Sequence, residues 1–152
     1  MVHFFNKQEC DNIVSLVSNL EWDYCNENFE YYQTFFYEEW VSTKIKKIVE
    51  TEKKINFLNY PITKVIKLKP TNCLPTHLQR FKNSDITFTS VCFLNDNFKG
   101  GYYYFNNHLT NTLKGFGVIH NLDSTQRMKE IEENDCYLLF AHFNTIIPNK
   151  LI

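Results

Sequence analysis

The stretch Val91-Cys92-Phe93-Leu94-Asn95-Asp96-Asn97-Phe98-Lys99-Gly100-Gly101-Tyr102-Tyr103 constrains this chain more than any other. An apolar run ends in Leu-Asn-Asp, turns through paired glycines and restarts as an aromatic strand. The chain has only four glycines, and two of them are adjacent here. A turn at that point demands backbone conformations closed to residues that carry a Cβ. The pattern predicts a hairpin that joins two strands of a β-rich domain.

The rest of the chain supplies helices before this segment and strands on both sides of it. Asn6 and Glu9 have capping-box spacing, and Ile13, Val14, Leu16, Val17 and Leu20 form an apolar face, so a first helix follows Asn6. Residues 22–36 are aromatic and polar by turns and read as strand and loop. Trp40, Val41, Ile45, Ile48 and Val49 recur at helical spacing and predict a second helix over about 37–54, its lysines on the solvated face. Val2–Phe5 alternates weakly, as a short strand would. Further strands are predicted at 63–69, 74–80, 85–94, 101–106, 115–120, 135–140 and 143–147. Residues 110–114 read as a loop, and 122–133 as a charged connection with one helical turn. Short strands at regular spacing with turn signals between them predict an antiparallel sandwich or barrel. No repeat, linker or low-complexity segment divides the chain. The expectation is one α+β domain over 1–152, helical over about 6–54 and strand-rich over about 62–148.

Composition narrows the class of function. Net charge is −1, and only Arg80 and Arg127 are arginine, so a phosphate-reading nucleic-acid surface is not expected. No apolar run approaches the ~20 residues of a membrane-spanning helix, and no signal peptide is read. The five cysteines, Cys10, Cys25, Cys73, Cys92 and Cys136, are odd in number and never spaced as CxxC. They read as reduced thiols in a cytoplasmic setting and argue against a structural zinc site. Abundant Phe, Tyr, Asn, Lys and Ile, with scarce Gly, Ala, Pro and Arg, fit an AT-rich genome such as a phage or virus, in which case a virion location also fits. There is no GxSxG, P-loop, GxGxxG or HExxH. Cys73 and His77 lie across a strand break and do not make a nucleophile–base pair. Tyr102, Tyr103, Tyr104 and Phe105 form an aromatic stripe, for which strand packing is the ordinary role and a stacking platform the alternative. His3, His108 and His120 share no ligand spacing and read as surface or core residues.

The Leu94-Asn95-Asp96…Gly100-Gly101 segment resembles the barrel-crossing hairpin of the iron- and 2-oxoglutarate-dependent dioxygenases of the prolyl 4-hydroxylase type. The opening Phe4-Phe5-Asn6-Lys7-Gln8-Glu9-Cys10-Asp11-Asn12-Ile13-Val14 is similar to the start of such domains, and the resemblance runs to Pro148. It implies a double-stranded β-helix, or jelly roll, with the N-terminal helices packed on one sheet. Active members hold Fe(II) with a His-x-Asp pair and a distal His, a facial triad that leaves positions open for 2-oxoglutarate and oxygen. In Leu68-Lys69-Pro70-Thr71-Asn72-Cys73-Leu74-Pro75-Thr76-His77-Leu78-Gln79, the resemblance puts His77 at the first ligand position and Gln79 where the aspartate belongs. A glutamine amide is neutral, so the site loses a formal charge there. The distal position falls on Asn144 when counted back from Pro148, or on His142 when counted forward from Phe140. These differ by two residues, so they share a strand face. The basic anchor for 2-oxoglutarate is matched only loosely, by Lys150 or by Arg80 beside Gln79.

Two functions follow from the resemblance. In the first, the chain is a degenerate dioxygenase-fold protein, without Fe(II) or 2-oxoglutarate, that serves as a binding or structural assembly module for a protein partner or a second copy of itself. In the alternative, it is an active Fe(II)/2-oxoglutarate hydroxylase of a peptidyl or small-molecule substrate with an atypical ligand set. The departures at Gln79, at the distal position and at the anchor favour the first.

Overall fold

The computed structural model describes residues 1–26, 29–74, 87–121 and 123–144. Its elements are β1 (Val2–His3), α1 (Lys7–Ser18), β2 (Asp23–Cys25), β3 (Tyr31–Phe36), α2 (Glu39–Lys53), β4 (Ile62–Leu68) and β5 (Phe88–Phe93), then β6 (Lys99–Gly100), β7 (Tyr103–Phe105), β8 (His108–Thr110), β9 (Phe116–His120), β10 (Gln126–Met128), β11 (Ile131–Glu133) and β12 (Cys136–Phe143).

Helix α1 begins where the capping box predicts. The Asn6 side chain accepts from the Glu9 amide at 2.8 Å, and the Glu9 carboxylate accepts from the Asn6 amide at 2.9 Å, so two helix-end donors are satisfied. Its buried stripe is Cys10, Ile13 and Val17. Helix α2 buries Val41, Ile45 and Val49 at four-residue spacing and stops at Lys54, which takes the left-handed conformation. Both stripes lie on one face of a seven-stranded sheet ordered β1-β9-β5-β12-β4-β3-β2.

Alternation along the strands divides the apolar residues between two cores. In the central antiparallel register, Leu139 stands opposite Val65 and Cys92, and all three belong to the core beneath the helices. One residue earlier, Leu138 stands opposite Ile66 and Phe93, and these face the other way. On that side the sheet is covered by a three-stranded sheet, β10-β7-β8, and by the β11-β6 pair. Tyr103, Met128 and Ile131 come down from this smaller layer to meet Phe93, Leu138 and Phe140. Two sheets enclosing one core, with helices outside the larger sheet, make the expected jelly roll.

Three expectations are corrected. The Leu94–Gly101 segment is not a two-stranded hairpin: β5 pairs with β12 and β9, whereas β7 pairs with β10 and β8, so the segment carries the chain from one sheet to the other. Gly100 and Gly101 have φ of 78° and 63° at this crossover, and a Cβ on Gly100 would sit 2.6 Å from the Glu130 carbonyl oxygen. The charged connection at 122–133 contains β10 and β11 instead of a helical turn, because its apolar residues pair against β7 and β6. The late strand predicted at 135–140 continues without a break through Phe143, and residues 145–147 of the strand predicted at 143–147 lie outside the described residues. Ala141 and His142, read as an interruption, continue the ladder to Thr63 and Ile62 on one side and to Ser90 and Thr89 on the other. Of the strand predicted at 74–80, everything after Leu74 lies outside the described residues.

Candidate functional site: the polar end of the barrel

The inner face of the large sheet changes character along its strands. Near one end its row is Gln33, Ile66, Leu138 and Phe93, directly opposite one another on β3, β4, β12 and β5. Two residues along comes Phe35, Lys64, Phe140, Val91 and Val118. Two further on comes Ile62, His142, Thr89 and His120. Register alone therefore gathers a lysine, a threonine and two histidines at one end of the barrel interior. All four are buried.

Hydrogen bonds tie this end together. Thr89 Oγ1 lies 2.9 Å from His142 Nδ1. Tyr103, fully buried, donates its phenolic proton to Gln126 Oε1 at 2.7 Å and lies 2.7 Å from His120 Nε2. Having spent its only proton on Gln126, the Tyr103 oxygen accepts from His120, which fixes the proton of that imidazole on Nε2. Phe93 meets the Tyr103 ring edge-on at 5.5 Å, and Phe105 meets His120 at 4.8 Å. Burial pushes the Tyr103 phenol well above its ordinary range, so it stays protonated and the network keeps one polarity. Lys64 Nζ reaches Gln33 Oε1 at 3.3 Å and lies over the rings of Phe35 and Phe140. Burial pushes it down to about 8.

The residues singled out by sequence are placed as follows. His142 is on β12, facing the barrel interior, and Asn144 follows just past the strand end, half-buried. His77, Gln79, Arg80 and Lys150 lie outside the described residues. Sequence reasoning gave no role to Lys64, Thr89 and Gln126, and treated His120 and Tyr103 as ordinary surface, core or strand residues. The signal for them was register, and the pairing of β5 with both β12 and β9 is not written in local sequence. The aromatic stripe splits by alternation: Tyr103 points inward, while Tyr102 is exposed and Tyr104 carries the Arg127 guanidinium 4.4 Å above its ring.

The described donors do not fit an Fe(II) facial triad. Such a site needs two imidazoles and a carboxylate on one ion. Among the described residues no three His, Cys, Asp or Glu side chains come close enough together to share a metal. No carboxylate is among the buried polar residues of this end, and Tyr103 already engages both His120 Nε2 and Gln126 Oε1.

No protein-family model matches the chain, and neither does any curated protein. Solved structures do match. The viral collagen prolyl hydroxylase of Paramecium bursaria Chlorella virus-1, solved with 2OG, is 16% identical, with 97% of this chain and 94% of that chain covered and a TM-score of 0.73. An oxidoreductase of the 2OG-Fe(II) oxygenase family from Burkholderia pseudomallei is 12% identical over 92% of this chain and 80% of its own, with a TM-score of 0.74. A prolyl-4-hydroxylase from Pseudomonas putida is 12% identical over 95% and 90%, with a TM-score of 0.70. At this level of identity the likeness speaks to architecture. The chain has the fold of the prolyl-4-hydroxylase-like 2OG-Fe(II) oxygenases, a double-stranded β-helix buttressed by two helices.

Proposed function

We propose that this protein keeps the oxygenase barrel as a binding scaffold and does not turn over 2-oxoglutarate on iron. The observation that carries this reading is the packing of Tyr103. Its ring is fully buried against Phe93, and its hydroxyl is held by His120 and Gln126. Leu68, Phe93, Cys136, Leu138 and Phe140, each no more than 1% exposed, fill the described interior around it. A cosubstrate bound among these side chains would have to displace well-packed apolar groups, each worth roughly 2–5 kcal/mol of stability when lost. Gln79, at the place of the carboxylate ligand, supports the same reading from sequence. A barrel held by such a core persists without its chemistry, because fold and function are separable.

Turnover assays test this. The protein is incubated with Fe(II), ascorbate and 2-oxoglutarate in air, and succinate is quantified. The scaffold reading predicts succinate at the level of a protein-free control. Enzyme-dependent succinate release, abolished by His77→Ala, would instead establish the hydroxylase alternative.

A further inference from the structure

Among the described residues the lysine buried at the polar end of the barrel faces no carboxylate, and the titratable group that acts on its charge is the Cys25 thiol. Lys64 is 3% exposed, and its one hydrogen bond among the described residues goes to the neutral Gln33 amide at the long distance of 3.3 Å. Its ammonium lies 5.7 Å from the centroid of Phe35 and 5.8 Å from that of Phe140. Among the described residues no carboxylate comes within ion-pair distance of it, and the ion pairs of other lysines are at partly exposed positions. Lysines are almost never fully buried unless paired, and two ring faces with one weak hydrogen bond offset only part of the desolvation cost. Burial has pushed this amine down to about 8, so at neutral pH it still carries its charge in most molecules.

We propose that Lys64, Gln33, Phe35 and Phe140 form a receptor for a carboxylate. The ammonium supplies the counter-charge, the Gln33 amide nitrogen is placed to donate to a second oxygen, and the two rings flank an apolar stem. Gln33, Phe35 and Lys64 lie on one sheet face by register, so the groups converge without any loop having to move. Phe35 is the part of the site that meets solvent, the residue being 43% exposed. The inference deepens the scaffold reading and rests on it, since it names what the scaffold holds. The carboxylate has two sources with the same chemistry: a small free acid, or the side chain of an Asp or Glu on a protein.

The test is a lysine-selective NMR titration of the full chain with EDTA present, so that a negative result bears on this site and not on iron. The Lys64 ε-methylene signal, identified by its loss in Lys64→Met, is followed against pH alone, with benzoate, and with N-acetyl-glutamate amide. A ligand that binds the charged amine at least tenfold better raises the midpoint by about one pH unit. A rise with benzoate alone supports the receptor and identifies a free acid. A rise with the capped glutamate alone supports it and identifies a protein side chain. A rise with both supports a receptor that accepts either. Should Lys64→Met fail to fold, Lys64→Gln provides the assignment. An unchanged midpoint with both compounds at tens of millimolar overturns the proposal.

Discussion

Replacing Tyr103 by Phe removes one oxygen atom and asks whether this barrel end is dry and closed. The phenolic oxygen makes two hydrogen bonds of 2.7 Å, donating to Gln126 Oε1 and accepting from His120 Nε2, and all three side chains are no more than 3% exposed. The ring itself stays, so the contacts with Phe93 and Met128 are preserved and no large cavity opens. What remains is a buried imidazole N–H and a buried amide oxygen that have each lost a partner. Leaving a buried polar group unsatisfied costs about 1–3 kcal/mol. Two such groups, with some relaxation, predict a loss of about 2–4 kcal/mol. For a chain of 152 residues that corresponds to a fall in Tm of roughly 5–15 °C. The assay is urea unfolding followed by tryptophan fluorescence, backed by calorimetry, with the denaturant slope unchanged if the native state stays compact. An open, hydrated ligand cavity behaves differently, because water replaces the lost hydroxyl. A loss below about 0.5 kcal/mol would refute the closed-interior reasoning.

Lys64→Met tests the buried charge through pH. Burial lowers the lysine from an ordinary 10.5 to about 8, so between those values the unfolded chain holds a proton that the folded chain has released, and stability rises with pH across that window. The variant should be more stable than wild type at pH 7 by as much as ~3 kcal/mol, with the gain gone near pH 10.5, and a variant less stable at both pH values would contradict this. Gly117→Ala should cost at least ~2 kcal/mol in the same unfolding assay, because a Cβ there would overlap the Val91 carbonyl oxygen and force β9 away from β5; a neutral result would place the strands wrongly. Thiol labelling of the native protein should modify the half-buried Cys25 and Cys73 first. Cys10, Cys92 and Cys136 should react only on unfolding, since burial pushes all three thiols up, Cys10 to about 11. Peptide mapping that finds Cys136 modified early would show that the barrel interior opens.

The parts of the fold legible in the sequence are those written locally. The Asn6–Glu9 capping box, the four-residue spacing of Val41, Ile45 and Val49, and the short apolar strands predicted at 63–69 and 115–120 each sit within one element, and the structure shows them where the pattern puts them. The misread parts depended on partners far along the chain. Ala141-His142 looks like a break until β4 and β5 pair with it on both sides, and the Gly100–Gly101 turn looks like a hairpin until β7 proves to belong to the other sheet. The site was even less legible. Neither His120 nor Lys64 belongs to any motif, and each becomes notable only because cross-strand register sets it at the buried end of the barrel. The resemblance directed attention to His142 and Asn144, whereas the hydrogen-bonded network around Tyr103 centres on β7, β9 and β10.

The proposed persistence of the oxygenase barrel without its iron chemistry meets its sharpest test in an anaerobic absorption titration. Fe(II) is added to the protein with saturating 2-oxoglutarate, and the metal-to-ligand charge-transfer band of a chelated complex is sought. A barrel without iron chemistry gives a spectrum equal to the sum of its separate components. A saturable band with one-to-one stoichiometry, lost in His77→Ala, would contradict it.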